Sequence, residues 1–315
     1  MAGRIGIGIA FAVVVYGGMV LWGGWRDVAH ALAGFHYAYL LLALGLAFAN
    51  FTLRGFRWKW LLARVGVHVP HKENLLISYA GLSLAITPGK VGEALKSYLL
   101  LGRGFPVVKT LPAVFVERIC DLLGVIALAA TGIFAYREGV GIVLLALVIT
   151  VVIAWLSTSR RASELVFSLG ERIPRLRPRV TWLRDLVENI RGLFRPGTLV
   201  VAGLIGCLAW FCEAAALYFV LLGAGAGVNL FVANFMYSLS TLAGVVFPGG
   251  IGGTEGVLTL MLLRRGLAKD TALAAVLLFR LSTLWWATAV GVVALLVVSR
   301  GAVGSLLPDL ERESG

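Results

Sequence analysis

The sequence predicts an all-α, polytopic integral membrane protein, and three observations predict it. Of its 315 residues, 59% are hydrophobic and only 14% charged, with a mean hydropathy of +0.92, far from the balance of a soluble domain. Several separate apolar runs reach roughly 17–25 residues, the length an α-helix needs to cross a bilayer core. The runs lack the two-residue alternation of a spanning barrel, which disfavours that class.

The first run, Ile5 to Trp22, follows Arg4 and lacks a small-residue cleavage site before the next charged cluster. It reads as a retained anchor helix with a cytoplasmic N-terminus. Residues 38–53 form the second crossing, which ends in "RGFRWKWLL" and places Arg57, Trp58, Lys59 and Trp60 at the cytoplasmic interface. Next comes a run too short to span, Leu75 to Thr87, broken at "TPGKVGE" and resumed as "ALKSYLLLG". Lys90, Lys96, Arg103 and Lys109 flank its second limb, so the segment is drawn as a hairpin entering and leaving on the cytoplasmic side. A long helix over about 107–136 emerges near Arg137 and Glu138, and residues 139–157 return.

The formal net charge of +12 is unevenly spread. Between residues 158 and 197 lie nine arginines against four acids, and residues 54–73 are also basic, so both segments are assigned to the cytoplasm. This distribution points to a lipid surface and away from nucleic acid. Within the first segment Leu183, Leu186, Val187, Ile190 and Phe194 share one helical face, as in a helix lying on anionic headgroups. An ordinary solvated loop is the alternative reading.

Residues 198–222 cross outward again with Glu213 embedded, followed by the uncharged link "GAGAGVN". The run 230–247 is interrupted by "FPGGIGGTEG", resumes over 257–263, and is followed by a last helix from about 270 to 298. Residues 301–315 form a cytoplasmic tail. In this topology Arg264, Arg265 and Lys269 fall outside, against the charge rule.

The two breaks resemble each other. "TPGKVGE" and "FPGGIGGTE" share a Pro-Gly, a Gly and a Glu in order, and both Glu93 to Arg118 and Glu255 to Arg280 span 25 positions. Each copy, about 38–136 and about 198–298, reads as apolar limb, break, glutamate, second limb and long helix bearing an arginine. Three crossings separate the hairpins, so they enter from opposite sides. The expected architecture is therefore about six full crossings plus two re-entrant hairpins in an inverted repeat, all within one domain over residues 1–300.

A Pro-Gly break frees backbone groups that hydrocarbon does not satisfy, so Pro88, Gly89, Gly92, Pro248, Gly249, Gly250, Gly252 and Gly253 must be buried in protein or line a wet cavity. The restarting helices would aim their N–H groups at that cavity, a place for phosphate or carboxylate; a tight packing turn is the alternative. Glu93, Glu117, Arg118, Asp121, Glu213, Glu255 and Arg280 are ionisable groups inside apolar runs, and such groups normally face a partner or a water-filled path. Glu117 and Asp121 share a helical face. Arg118 and Arg280 either neutralise Glu93 and Glu255 or hold an anionic headgroup, and the readings are compatible. The carboxylates could also carry a proton.

Enzyme signatures are poor. His68 and His71 flank Pro70, and no nucleophile elbow or phosphate loop appears. Cys120, Cys207 and Cys212 lie in apolar runs, as packing residues do. No cofactor and no metal site are expected.

Four stretches carry a family resemblance: "RWKWLL" (57–62), "TPGKVGEALKSYLL" (87–100), "VERICD" (116–121) and "FPGGIGGTEG" (247–256). From about residue 5 to 300 the chain resembles the flippase-like family that contains the transmembrane region of lysylphosphatidylglycerol synthases. The resemblance implies re-entrant helices and movement of a lipid headgroup between leaflets. It places the family's polar positions on Arg57, Pro88, Gly89, Lys90, Gly92, Glu93, Lys96, Glu117, Arg118, Asp121, Pro248, Gly249, Gly250, Gly252, Glu255 and Arg280. Lys96 stands where arginine is more often expected, which puts a bidentate contact there in doubt.

With no soluble aminoacyl-transfer segment before Gly315, a stand-alone member is expected. Its cargo would be a lipid with an anionic or phosphate-containing headgroup, in the manner of aminoacylated phospholipids, polyprenyl-phosphate sugars or hopanoid-type lipids. The expected location is the plasma membrane with both termini cytoplasmic. A lipid-modifying enzyme and a second copy of the chain are candidate partners. A membrane transferase acting on a lipid-linked sugar, or a scaffold recruiting a soluble transferase, are the alternative functions.

Overall fold

A computed structural model describes residues 2–87, 91–132, 139–173 and 177–313, and among them every regular element is helical. Helix α1 (Ala2–Gly23) and the short α2 (Trp25–Ala33) precede α3 (Ala38–Arg64). Helix α4 (His71–Ala80) runs into a 3₁₀ turn over Gly81–Leu84, and α5 (Val91–Leu101) and α6 (Val107–Ala130) follow. Helix α7 (Val140–Thr158) leads to the polar pair α8 (Arg160–Glu171) and α9 (Arg177–Leu193). The second half consists of α10 (Pro196–Gly223), α11 (Leu230–Gly244), a 3₁₀ turn at Pro248–Gly250, α12 (Gly253–Arg264), α13 (Lys269–Arg280), a π turn over Leu281–Trp285 and α14 (Trp286–Glu313).

Among the described residues, four helical segments are long and apolar enough to cross a membrane: Ala38–Arg64, Val140–Thr158, Pro196–Gly223 and Lys269–Arg300. Ala10–Gly23 is a shorter apolar helix. Helix α6, with 24 residues, is about 36 Å long and could span, but Lys109, Glu117, Arg118 and Asp121 interrupt its apolar character. The limbs around the breaks, α4, α5, α11 and α12, have 10, 11, 15 and 12 residues, too few to cross individually.

The largest helix contact joins α3 to α10. Hydrocarbon gives little hydrophobic drive for helices to associate, so close backbone approach and interhelical hydrogen bonds have to supply it. Both are present. Ala43, Ala47, Ala202 and Ala209 are buried, and the Asn50 amide donates to the Ala209 carbonyl at 2.7 Å. Between the two broken segments and the long helices, α11 packs on α6, and α4 packs on α14.

Three sequence expectations change. Helix α3 runs unbroken to Arg64, and Arg57 and Trp58 are fully buried within protein instead of resting at the interface. Long helix α6 ends at Ala130, and residues 133–138, with Arg137 and Glu138, lie outside the described residues. The apolar face of α9 is only partly free for lipid. Ile190 and Leu193 are buried, and the Asn189 amide donates to the Val108 carbonyl at 3.3 Å, because α9 packs against α6; Leu183 remains exposed.

Helix α14 touches the 3₁₀ turn before the first break without a spacer. A Cβ added at Gly291 would stand 2.1 Å from the Ser83 backbone nitrogen. Gly291→Ala should therefore force the helices apart and lower stability by about 1–3 kcal/mol, the usual cost of overpacking. Thermal unfolding in detergent checks this, and an unchanged midpoint would contradict the packing.

Candidate functional site

The cavity between the two broken segments has a volume of about 370 Å³. Its wall includes Leu84, Ala85 and Thr87 before the first break and Gly244, Phe247, Gly249 and Gly250 around the second. Arg54, Glu93, Arg118, Asp121, Glu213 and Arg280 also line it. The second break meets the segment just before the first: a Cβ at Gly249 would lie 3.2 Å from Ile86 Cα. Gly249 also has φ +59°, so both space and backbone angle demand glycine there.

One ionic network occupies the first half. Arg57, on α3, has its Nη2 2.6 Å from Asp121 Oδ1 and 3.6 Å from Glu117 Oε1. The two carboxylates lie one turn apart on α6, which is why a single guanidinium meets both. Lys96, on α5, reaches Glu117 at 2.7 Å and Glu93 at 2.9 Å, with its ammonium 4.4 Å from the Trp58 ring centre. Glu93 also meets Arg54 at 2.6 Å and Arg118 at 3.2 Å, and Arg118 meets Asp121 at 2.6 Å. The result is graded by depth. Arg57, Lys96 and Glu117 are sealed behind the wall, whereas Glu93 and Arg118 keep 14% and 21% of their side chains accessible.

A smaller cluster sits in the second half. Arg280 Nε lies 2.7 Å from Glu255 Oε1, and Arg280 Nη2 donates to the Gly249 carbonyl at 2.6 Å. Glu255 Oε2 accepts from the Gly252 N–H at 2.8 Å, capping α12 just after Gly253 begins it. The arginine thus satisfies a carbonyl freed by the break, and the glutamate satisfies a freed N–H. Tyr16 of α1 completes the group, its hydroxyl donating to Glu255 Oε1 at 2.9 Å. After Arg280 the helix widens into the π turn, where Ser282 and Thr283 hydroxyls both donate to the Phe279 carbonyl at 2.9 Å.

The sequence-expected residues therefore fall into two sets: Glu93, Arg118 and Asp121 on the cavity wall with Arg57, Lys96 and Glu117 sealed behind them, and Arg280 on the wall with Glu255 behind it. Pro88, Gly89 and Lys90 lie outside the described residues, and Gly92 falls in the first turn of α5. Pro248, Gly250, Gly252 and Gly253 are where the second break was expected. Lys96 faces two carboxylates as a point charge.

Sequence reading missed Arg54, Tyr16 and Tyr237 as site residues and left Glu213 without a partner. Tyr237 donates to Glu213 Oε2 at 2.9 Å on the cavity wall. The available signal for Arg54 was its spacing of three from Arg57, which places both on one face of an uninterrupted helix. Chemically, guanidinium groups held at the surface of such a cavity can take a phosphate or carboxylate in paired hydrogen bonds.

Comparison with known proteins agrees with this architecture. Residues 7–291 match the family model described as the lysylphosphatidylglycerol synthase TM region. The chain belongs to that family. It is also similar to a UPF0104 membrane protein of Methanothermobacter thermautotrophicus, at 26% identity over 91% of this chain and 93% of that one. The protein is therefore a membrane protein of the lysylphosphatidylglycerol synthase TM-region family.

Removing Arg57 leaves Glu117 and Asp121 buried with less compensation. Arg57→Met should cost about 3–5 kcal/mol, as for other broken buried pairs. Arg118→Gln, at the accessible edge of the same network, should cost clearly less. Parallel thermal unfolding of the two variants in detergent decides the order; equal losses would contradict the grading by depth.

Proposed function

We propose that the protein is a lipid translocase that passes the anionic or phosphate-containing headgroup of a membrane lipid through the central cavity while the hydrocarbon tail stays in the bilayer. The observation that carries the proposal is a cavity of about 370 Å³ walled by two helix breaks and by Arg54, Arg118 and Arg280. Charges inside a membrane protein normally serve a pathway or pair with each other, and paired charges on a cavity wall support the first role as well as the second.

In this reading α3–α6 and α10–α14 are the two halves of an inverted repeat, and α4–α5 and α11–α12 are re-entrant hairpins. The pairing of α11 with α6 and of α4 with α14 supports it. With α1, α3, α6, α7, α10 and α13–α14 as six crossings, both termini lie on the cytoplasmic side of the plasma membrane, together with basic α8 and α9. Loop 158–197 then faces anionic headgroups.

The described cations and carboxylates on the cavity wall are equal in number, so an incoming phosphate must displace a carboxylate from its arginine. Glu93 is the group suited to yield, since it bridges Arg54, Lys96 and Arg118 and remains partly accessible. Arg280 and Glu255 form the corresponding pair on the other side. A released carboxylate can leave as an ion or take a proton, which gives a route for proton coupling.

Reconstituted protein tests this directly. Arg118→Gln combined with Arg280→Gln should lower headgroup translocation in vesicles at least about tenfold, the loss expected for charge-assisted hydrogen bonds, while the protein stays folded. The same variant should carry less of the anionic lipid that co-purifies with wild type. Unchanged translocation and unchanged lipid content in a folded variant would refute the assignment.

A further inference from the structure

A second polar cleft lies far along α3 from the central cavity, where the α3 C-terminus, the α10 N-terminus and α9 meet. Its volume is about 180 Å³, and Arg64, Glu188, Asn189, Arg195 and Thr198 line it. We propose that this cleft is a peripheral binding site for the phosphate of an acidic phospholipid, separate from the translocation pathway.

Charge comes first. Glu188 is engaged by Arg191 at 2.5 Å, whereas Arg195 makes no ion pair among the described residues. Two guanidinium groups therefore face the cleft with one carboxylate already committed elsewhere. Preorganisation is the second point. The Arg64 Nη1 donates to Thr198 Oγ1 at 3.2 Å, and its guanidinium stands over the Trp60 ring at 4.3 Å. Thr198 is 1% exposed, so the acceptor that holds Arg64 is itself fixed. The planar fork is thus oriented before any ligand arrives.

Depth is the third point, and it selects lipid over a free ion. One membrane-spanning candidate ends at Arg64 and another begins at Pro196, so the cleft stands at the boundary where headgroup phosphates lie. Just beyond it on α10, Val200, Leu204, Leu208 and Phe211 form an exposed apolar stripe along one face. A phospholipid can place its phosphate between Arg64 and Arg195 and lay an acyl chain down this stripe. The basic α8–α9 pair beside the cleft favours an acidic headgroup over a zwitterionic one.

The test uses the full chain in detergent, stripped of lipid and titrated with phosphatidylglycerol, phosphatidylcholine or inorganic phosphate, with bound lipid counted by native mass spectrometry and stability followed by thermal unfolding. Wild type should retain and be stabilised by phosphatidylglycerol, respond less to phosphatidylcholine and not respond to equimolar phosphate. Arg64→Gln with Arg195→Gln should weaken phosphatidylglycerol binding about tenfold or more.

Arg195→Gln alone, which breaks no ion pair, should give a smaller loss in the same direction and serves if the double variant misfolds. Arg118→Gln should leave the Arg195-dependent share of this binding intact. Equal retention by wild type and Arg195→Gln would overturn the proposal. So would stabilisation by phosphate as strong as by lipid, which would mean a free-anion site, or loss of the lipid in Arg118→Gln only, which would place it in the central cavity.

Discussion

An arginine side chain keeps its proton, so a guanidinium withdrawn from both water and headgroups must be met by carboxylate. Arg57 is such a group, and most of the first half is arranged around it. Asp121 and Glu117, one turn apart on α6, both approach its Nη2, at 2.6 and 3.6 Å, and place two negative charges beside the buried cation. Glu117 in turn requires Lys96, which ties α5 to the same point, and Lys96 and Arg118 draw in Glu93. The network therefore joins three helices where apolar contact alone gives little preference for one arrangement.

The second half meets a related constraint with fewer charges. Its difficulty is unsatisfied backbone at the Pro-Gly break, and Arg280 with Glu255 addresses it by bonding a carbonyl and an N–H directly. The halves are thus similar in element order and different in chemistry: an extended ion network on one side, a charged pair serving as backbone partner on the other. The cavity therefore has unequal walls, one rich in ion contacts and one in which the arginine is also a structural brace.

Much of this was legible in the sequence because it is local or periodic. Apolar run length anticipated the four helical segments long enough to cross a membrane among the described residues, and the equal 25-residue spacing of Glu93–Arg118 and Glu255–Arg280 anticipated two pairs that do form. Other features were hidden for physical reasons. The stretch "RGFRWKW" has the composition of an interfacial anchor, and only the tertiary fold shows that Arg54 and Arg57 turn inward. Tyr16 contacts Glu255 across 239 positions, a pairing no local pattern encodes. The apolar face of α9 reads the same whether protein or lipid covers it, so the share taken by α6 emerges only from packing.

The π turn after Arg280 adds a geometric consequence. Each residue of an α-helix turns the side chains by about 100°, so the widened turn at Leu281–Trp285 sets the angular offset between Arg280 and everything from Trp286 onward. On one side of that offset the guanidinium faces the second break; on the other, α14 packs against the turn of the first. The last long helix is therefore phased like a crankshaft, with two working faces whose relative angle is fixed by five residues. In such a helix length and register are not separable, and a one-residue change in the turn would re-aim one face without disturbing the helix on either side.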